Sequence, residues 1–239
     1  MGTQLIHDRR TKVTLLGVIA MLAASLALII SGWGGDEAPA AQAHEHGHTA
    51  VVSSKAKISA KAAAKQRNLY LAMRDLWSQH MEWTYAAVTA FVSDSPGFDA
   101  SVDRLLQNQK DIGNAIKPFY GKAAGNELTK LLTEHIQLAV PVLVAAKKGD
   151  SDALDTAVAD WYANARQVGS FLAKANPAWK GARKMLKVHI TQTVAYASDQ
   201  LQGDYAKSIA DYDEAEEHML MLADQLSAGI IEEFPGRFR

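Results

Sequence analysis

Three short segments of the chain share one pattern, in which two large apolar residues precede a histidine by three or four positions. The histidines follow one another after 55 and 54 residues. A period of about 54 residues accommodates two helices and a turn, so the pattern predicts three copies of a helical hairpin. The three segments are Leu76-Trp77-x-x-His80, Leu131-Leu132-x-x-His135 and Met185-Leu186-x-x-His189.

The pattern of residues 58–233 predicts helices separated by short breaks. Apolar residues recur at helical spacing, and no stretch alternates as a strand would. Short loops between long helices favour antiparallel neighbours. We therefore predict an all-α fold, an up-down bundle of about six helices built from three helical hairpins. The helices are expected at 58–93, 99–117, 122–148, 151–175, 179–202 and 204–233.

Several single residues predict where these helices start and bend. Asp99, Ser151 and Asp204 are the expected N-caps, because short polar side chains accept the unpaired N–H groups of a first helical turn. Pro141 is expected to kink its helix, since proline removes a backbone donor. Gly149 and Gly203 lie 54 residues apart at two of the breaks.

The first residues predict a membrane anchor. Residues 13–31 carry no charge, and Arg9, Arg10 and Lys12 precede them. Nineteen helical residues span about 28 Å, close to the thickness of a bilayer core. Because basic residues stay on the cytoplasmic side, residues 1–12 form a cytoplasmic leader. The bundle then lies outside the cytoplasm at the cell membrane, or is secreted if the chain is cleaved near Ala43.

Residues 32–60 predict a flexible linker rich in glycine and alanine, ahead of a bundle over 61–239. The linker carries His44, His46 and His48 at alternate positions. Imidazoles suit copper, zinc and nickel, so this triplet is a candidate weak metal site. The alternative is a plain polar tether.

Composition excludes several classes of site. The chain has no cysteine, which rules out disulfides, thiolate catalysis, iron–sulfur clusters and covalent c-type haem. Residues 51–239 contain 22 Lys+Arg and 22 Asp+Glu. That balance gives no support for nucleic-acid binding.

The predicted bundle contains four histidines among mostly apolar neighbours. Residues three and four apart share a helix face, so these side chains are expected to point into the core. Buried polar groups are costly unless they are paired, and four at related positions favour a ligand site. The candidate metal ligands are His80, His135, His189, His218, Glu134 and Glu217. The residues expected to support them are Asn108, Asn164 and Trp83.

The donor set points to copper or zinc. Four imidazoles with few carboxylates suit these metals better than a di-iron centre, which needs Glu-x-x-His pairs that this chain lacks. One alternative is a non-enzymatic interaction or sensor module in which the histidines are structural or respond to pH. Another is a non-covalent haem held by two histidines. The chain has no catalytic triad pattern, phosphate loop or dinucleotide fingerprint, so an enzyme is the third choice.

A set of local motifs resembles a group of uncharacterised bacterial helical-bundle proteins that are often tethered to the membrane. The resemblance covers most of 70–235. It implies a helical core with buried polar residues and a membrane tether, and it implies no activity or protein partner. The motifs are Leu76-Trp77-x-x-His80-x-x-Trp83-Thr84, Arg104-Leu105-Leu106-x-Asn108, Pro118-Phe119-Tyr120-Gly121, Leu131-Leu132-x-Glu134-His135, Trp161-Tyr162-x-Asn164-Ala165 and Phe234-Pro235.

Overall fold

Residues 59–239 are described by the computed structural model, and they form five α-helices with no strand among them. The prediction of an all-α bundle is confirmed. The predicted leader, anchor and nearly all of the linker, with His44, His46 and His48, lie outside the described residues. The helices are α1 (Ala60–Val92), α2 (Phe98–Lys148), α3 (Ser151–Ala175), α4 (Ala182–Gln202) and α5 (Tyr205–Glu233), with 3₁₀ turns at Pro177–Trp179 and Pro235–Phe238.

Helix α2 folds back on itself at Gly121. There φ is 85° and ψ is 169°, a backbone conformation essentially restricted to glycine. The arms 98–120 and 122–148 lie so close that a Cβ on Gly113 would sit 2.6 Å from the carbonyl oxygen of Gly125. Pro141 lies inside the second arm, where the backbone dihedrals stay helical, and the only non-helical residue within α2 is Gly121. The expected kink at Pro141 stays a prediction. The sequence predicted two helices over this stretch, and the structure has two arms that meet without a loop.

Two other reversals end in glycine, as the sequence suggested. Gly149 ends α2 with a φ of 70°, and Gly203 ends α4 with a φ of 79°. In both, the glycine N–H bonds back to carbonyls of the last helical turn. Glycine adopts this left-handed conformation without the steric penalty that a Cβ would bring.

Aspartates start the two helices that follow these glycines. Asp204 caps α5, as predicted, and Asp150 caps α3 one residue before the predicted Ser151. Each carboxylate accepts the N–H of the residue three positions later. The expected cap at Asp99 is wrong, because α2 begins after Gly97 without a side-chain cap.

The five helices close into a ring around one core. Each helix packs against the next along the chain, and α1 also packs along α5. Large side chains fill the interior, with Trp77, Tyr162, Trp179 and Tyr196 each at most 2 % exposed. The closed ring explains why polar residues in mid-helix can be removed completely from water.

Among the described residues, α2 is the one helix long and apolar enough to cross a membrane by length and composition. Its most apolar stretch is 44 % buried within the bundle. Because core helices of soluble bundles have the same composition, and α2 is bent at Gly121, we assign its apolar residues to the core.

The connections gather at two opposite ends of the bundle. At one end, Lys65 Nζ donates to the carbonyl of Arg239 (2.7 Å), and Phe119 stacks on Phe238 with ring centroids 5.9 Å apart. At the other end, Lys147 Nζ binds the carboxylate of Asp94 at 2.7 Å. The start of α1, the Gly121 bend and the end of the described chain therefore share one end.

Candidate functional site

Three of the four histidines predicted as metal ligands meet in the centre of the bundle. His80 comes from α1, His135 from the second arm of α2 and His189 from α4. The ring centroid of His189 lies 5.5 Å from the ring centroid of His80 and 5.8 Å from that of His135. We call these three residues the histidine cluster. Segments far apart in sequence thus bring three imidazoles to one place.

Burial keeps the histidine cluster neutral. The three residues are 2–3 % exposed. Desolvation, with the nearby His135, lowers the pKa of His80 from 6.5 to about 3, although a bond to Gln109 opposes it. Desolvation lowers the pKa of His135 to about 4, although the hydrogen bond to Asn164 raises it. The pKa of His189 is also lowered, by burial and then by the other imidazoles. Each ring therefore carries one nitrogen lone pair at neutral pH.

The hydrogen bonds of Asn164 decide which nitrogen of His135 carries the proton. Asn164 Nδ2 donates to the carbonyl of Leu131 at 3.1 Å, so Oδ1 is its acceptor atom. Oδ1 lies 2.8 Å from His135 Nδ1. Nδ1 must therefore be the donor, which leaves the lone pair of His135 on Nε2. This is the arrangement that orients a metal-binding imidazole from behind.

Gln109 contacts His80 and was missed by the sequence analysis. Gln109 Nε2 lies 3.2 Å from His80 Nδ1, and it also donates to the Leu105 carbonyl and Asn108 Oδ1. Its Oε1 is buried without a partner. Gln109 lies 29 positions after His80, and Asn164 lies the same 29 positions after His135. Counting 29 residues from each histidine would have found it.

Several nitrogens around the histidine cluster have no hydrogen-bond partner. They are His189 Nδ1 and the indole Nε1 atoms of Trp77 and Trp161. Trp77 packs on His80 with ring centroids 5.6 Å apart, and Trp161 packs on His135 at 5.3 Å. Native interiors leave few such groups unpaired. Further unpaired buried atoms lie elsewhere in the bundle, on Trp179, Tyr196 and Gln200 among others, so the cluster shares this feature with other parts of the core.

His218 has a different place from the other three histidines. It is half-buried, and its Nε2 donates to the carbonyl of Met185 at 2.9 Å. Because a carbonyl only accepts, the proton of His218 is on Nε2. His218 is close enough to contribute to the lowered pKa of His189, but its own Nε2 faces the backbone of α4.

Asn108 and Asn164 bond to the backbone in the same way as His218. Asn108 Nδ2 donates to the carbonyl of Leu76 at 2.9 Å, 32 residues away. The corresponding bonds of Asn164 and His218 each span 33 residues. In all three, the acceptor lies four residues before a histidine of the cluster. These bonds fix the helix that carries each imidazole.

The two predicted carboxylate ligands lie away from the histidine cluster. Glu134 pairs with Lys130 at 3.8 Å on the surface, and Glu217 is exposed. Adjacent helix positions differ by about 100°, so Glu134 cannot share the inward direction of His135. Trp83 packs beneath the guanidinium of Arg104, 5.3 Å from the ring centre, rather than on an imidazole.

A small cavity adjoins the histidine cluster. Its volume is about 40 Å³, and all three imidazoles line it together with Trp161 and apolar side chains. That volume has room for about two or three water molecules. Haem-sized ligands need pockets of several hundred Å³, so this cavity is too small for haem.

The chemistry of the cluster is that of neutral nitrogen donors. The cavity lining contains no carboxylate, and the hydroxyl of Thr84 is used in a bond to the His80 carbonyl. In the ring orientations observed, no three His, Asp or Glu side chains in 59–239 are arranged to hold a metal ion. Metal binding here would require the imidazoles to turn.

Comparisons with models of known protein families, with curated proteins and with solved structures find no match to this chain. The resemblance drawn from the sequence motifs stays a prediction.

Proposed function

We propose that this protein is a membrane-tethered helical bundle, held outside the cytoplasm, that binds copper or zinc at the histidine cluster. One observation carries the proposal: three buried, neutral imidazoles from three separate segments line a single cavity. Copper and zinc favour imidazole nitrogen, and their ligands must be deprotonated. His80, His135 and His189 are the proposed ligands, and His218, Glu134 and Glu217 are no longer among them.

The spacing of the rings supports the proposal. With metal–nitrogen bonds of about 2.0–2.1 Å, two imidazoles on one metal have ring centroids about 5 Å apart. The observed separations of His189 from His80 and His135 are 5.5 and 5.8 Å. Side-chain rotations that move the rings by a few tenths of an ångström would bring them into range. His189 Nδ1, which has no partner, loses no hydrogen bond when its ring turns.

Three hairpins of common origin would explain the arrangement. The proposed copies are α1 with the first arm of α2, the second arm with α3, and α4 with α5. The 32- and 33-residue bonds from Asn108, Asn164 and His218 support this division, because each joins the second helix of a copy to its first. A histidine at the same position of each copy then falls on a common centre.

The proposed location rests on the uncharged run 13–31 and its basic leader. Such a run after Arg9, Arg10 and Lys12 favours an anchor with the following chain outside the cytoplasm. Helix α1 begins at Ala60, so the predicted linker over 32–60 ends where the bundle begins.

A second candidate is a non-enzymatic interaction module whose histidines are structural. The bonds of His80 to Gln109 and of His135 to Asn164 favour it, since they already occupy one nitrogen of each ring. Its protein partner is unknown.

Metal content distinguishes the two candidates. The test uses the full-length protein with His44, His46 and His48 replaced by serine. This variant lacks the linker triplet and retains the histidine cluster. We expect about one copper or zinc per chain by elemental analysis, and a melting temperature that rises with metal and falls with chelator, because metal bound only to the native state stabilises it. Copper should also quench tryptophan fluorescence, since Trp77 and Trp161 pack on the imidazoles.

Two further variants in the same background locate the metal. His189→Leu should lose the metal and its thermal stabilisation. The matched control is His218→Gln, which should keep both, because the Gln amide can still donate to the Met185 carbonyl. Metal-free protein whose melting temperature responds to neither copper nor zinc would contradict metal binding and support the interaction module.

A further inference from the structure

The charges of the bundle are separated between its two ends. We define the basic end as residues 60–67, 117–122, 174–184 and 230–239, and the acidic end as 91–103, 147–155 and 199–211. The basic end has eleven Lys and Arg against two Glu, and the acidic end has nine Asp against three Lys. The near-zero net charge of the chain conceals this separation. The cations of the basic end are Lys61, Lys65, Arg67, Lys117, Lys122, Lys174, Lys180, Arg183, Lys184, Arg237 and Arg239.

The folded structure brings the segments of the basic end together. Arg237 donates to the carbonyl of Pro118, and Lys65 donates to the carbonyls of Arg237 and Arg239. The segment 174–184 joins the segment 117–122 through Asn176, whose Nδ2 donates to the Tyr120 hydroxyl at 2.8 Å. The segments therefore form one continuous surface.

Most of these cations are available to an external partner. Among the described residues, none of the eleven forms an ion pair with an Asp or Glu side chain. Eight are exposed, one is half-buried beside Gly125, and two mainly bind backbone carbonyls.

Three of these charges oppose the local preference of the helices, whereas Lys174 lies in the last turn of α3, where a cation is favoured. Lys61 lies in the first turn of α1, and Arg183 and Lys184 lie in the first turn of α4. Helix N-termini carry a partial positive charge and are stabilised by acidic side chains. Like charges crowded at one end also repel one another. Helix stability does not account for these residues, so another interaction is the better explanation.

We propose that the basic end rests on an anionic lipid bilayer. Clustered Lys and Arg bind anionic lipid, and each one near the surface shifts the equilibrium by about fivefold. The chain also enters the bundle at this end, at Ser59. Residues 32–58 can span at most about 90 Å, so the proposed anchor holds this end near the bilayer. The proposal rests on that anchor and not on metal binding.

The test uses full-length protein in lipid nanodiscs, in phosphatidylcholine alone or with about a third phosphatidylglycerol. Lysine acetylation rates are measured by mass spectrometry. We expect Lys61 and Lys122, both exposed at the basic end, to react at least about fivefold more slowly in the anionic discs. Lys110 and Lys148, exposed elsewhere, should react equally in both. Sodium chloride at about 0.5 M should remove the protection, because it screens the charges.

Charge-reversal variants show which surface is responsible. Lys180→Glu/Arg183→Glu/Lys184→Glu should abolish the protection of Lys61 and Lys122. The matched control, Lys110→Glu/Lys130→Glu/Lys148→Glu, changes the net charge equally and should preserve it. Equal acetylation in the two lipids, or protection insensitive to salt and to charge reversal, would overturn the proposal. So would protection by a duplex oligonucleotide in the absence of protection by anionic lipid.

A carbonate wash separates failure of this proposal from failure of the anchor. Protein that leaves the bilayer in carbonate has no spanning anchor. Lipid-dependent, salt-sensitive protection of Lys61 and Lys122 before the wash would then still support the basic end as a lipid-binding surface.

Discussion

At the scale of single residues, the histidine cluster combines full burial with incomplete hydrogen bonding. His135 has a fixed proton on Nδ1 because Asn164 offers only its oxygen, whereas His189 Nδ1 has no partner at all. An unpaired buried polar group costs about 1–3 kcal/mol. A bundle that retains such groups where apolar residues would fit gives up stability, which is consistent with a ligand-binding role.

The pKa values of these histidines predict how stability depends on pH in metal-free protein. Unfolded histidine binds a proton with a pKa near 6.5, whereas native His80 and His135 titrate near 3 and 4. Because the unfolded state binds more protons in this window, the free energy of unfolding falls as pH drops below 6.5. Each residue should contribute a loss of about 2 kcal/mol between pH 8 and pH 5.

Denaturant unfolding from pH 8 to pH 5 measures this effect. The slope of stability against pH gives the protons taken up on unfolding, and His135→Leu should reduce it by about one proton near pH 5. A stability that does not change over this range would contradict the neutral, buried state of the histidine cluster.

At the scale of the elements, α2 depends on two glycines for different reasons. Gly121 supplies a backbone conformation that other residues avoid, while nothing lies within 4 Å of the position of its Cβ. Gly113 has ordinary helical dihedrals but faces the backbone of the opposite arm at Gly125. Gly121 therefore reverses the direction of α2, and Gly113 allows its two arms to approach each other.

Alanine substitutions should separate these two roles. Gly121→Ala should cost about 1–3 kcal/mol through backbone strain. Gly113→Ala should cost about 1–3 kcal/mol or more, because the added methyl forces the arms apart. Gly236→Ala is the control, with neither positive φ nor a close neighbour, and should change little. Urea unfolding of the three variants provides the comparison, and equal stability of Gly113→Ala and the control would show that the arms are not in close contact.

At the scale of the whole molecule, the two ends differ in charge although the bundle is nearly neutral. Lys61 and Lys184 lie at helix N-termini, where their charge is unfavourable. Lys148 lies in the last turn of α2, where a cation is favourable. Lysine therefore stabilises the end of α2 at Lys148 and destabilises the starts of α1 and α4 at Lys61 and Lys184.

Charge reversal tests this difference in the absence of lipid. Lys61→Glu/Lys184→Glu should raise the free energy of unfolding by about 1 kcal/mol at low ionic strength, and the gain should shrink in about 0.5 M salt. Lys148→Glu should lower it by about 0.3–1 kcal/mol. Thermal unfolding in detergent would measure both. Destabilisation by the double variant would contradict the view that the basic end lowers the stability of the bundle.

The sequence by itself determined the helical class, most helix boundaries and the inward direction of His80, His135 and His189. These follow from periodicity, from glycine in left-handed turns and from the cap at Asp204, which act within a few residues. The sequence also contains the 29-residue separation between a histidine and its partner, which leads from His80 to Gln109. Only the tertiary structure decided that three histidines meet while His218 turns to a carbonyl, and that Glu134 faces solvent. It alone gathered the cations at one end, because contacts between distant segments depend on how the ring of helices closes.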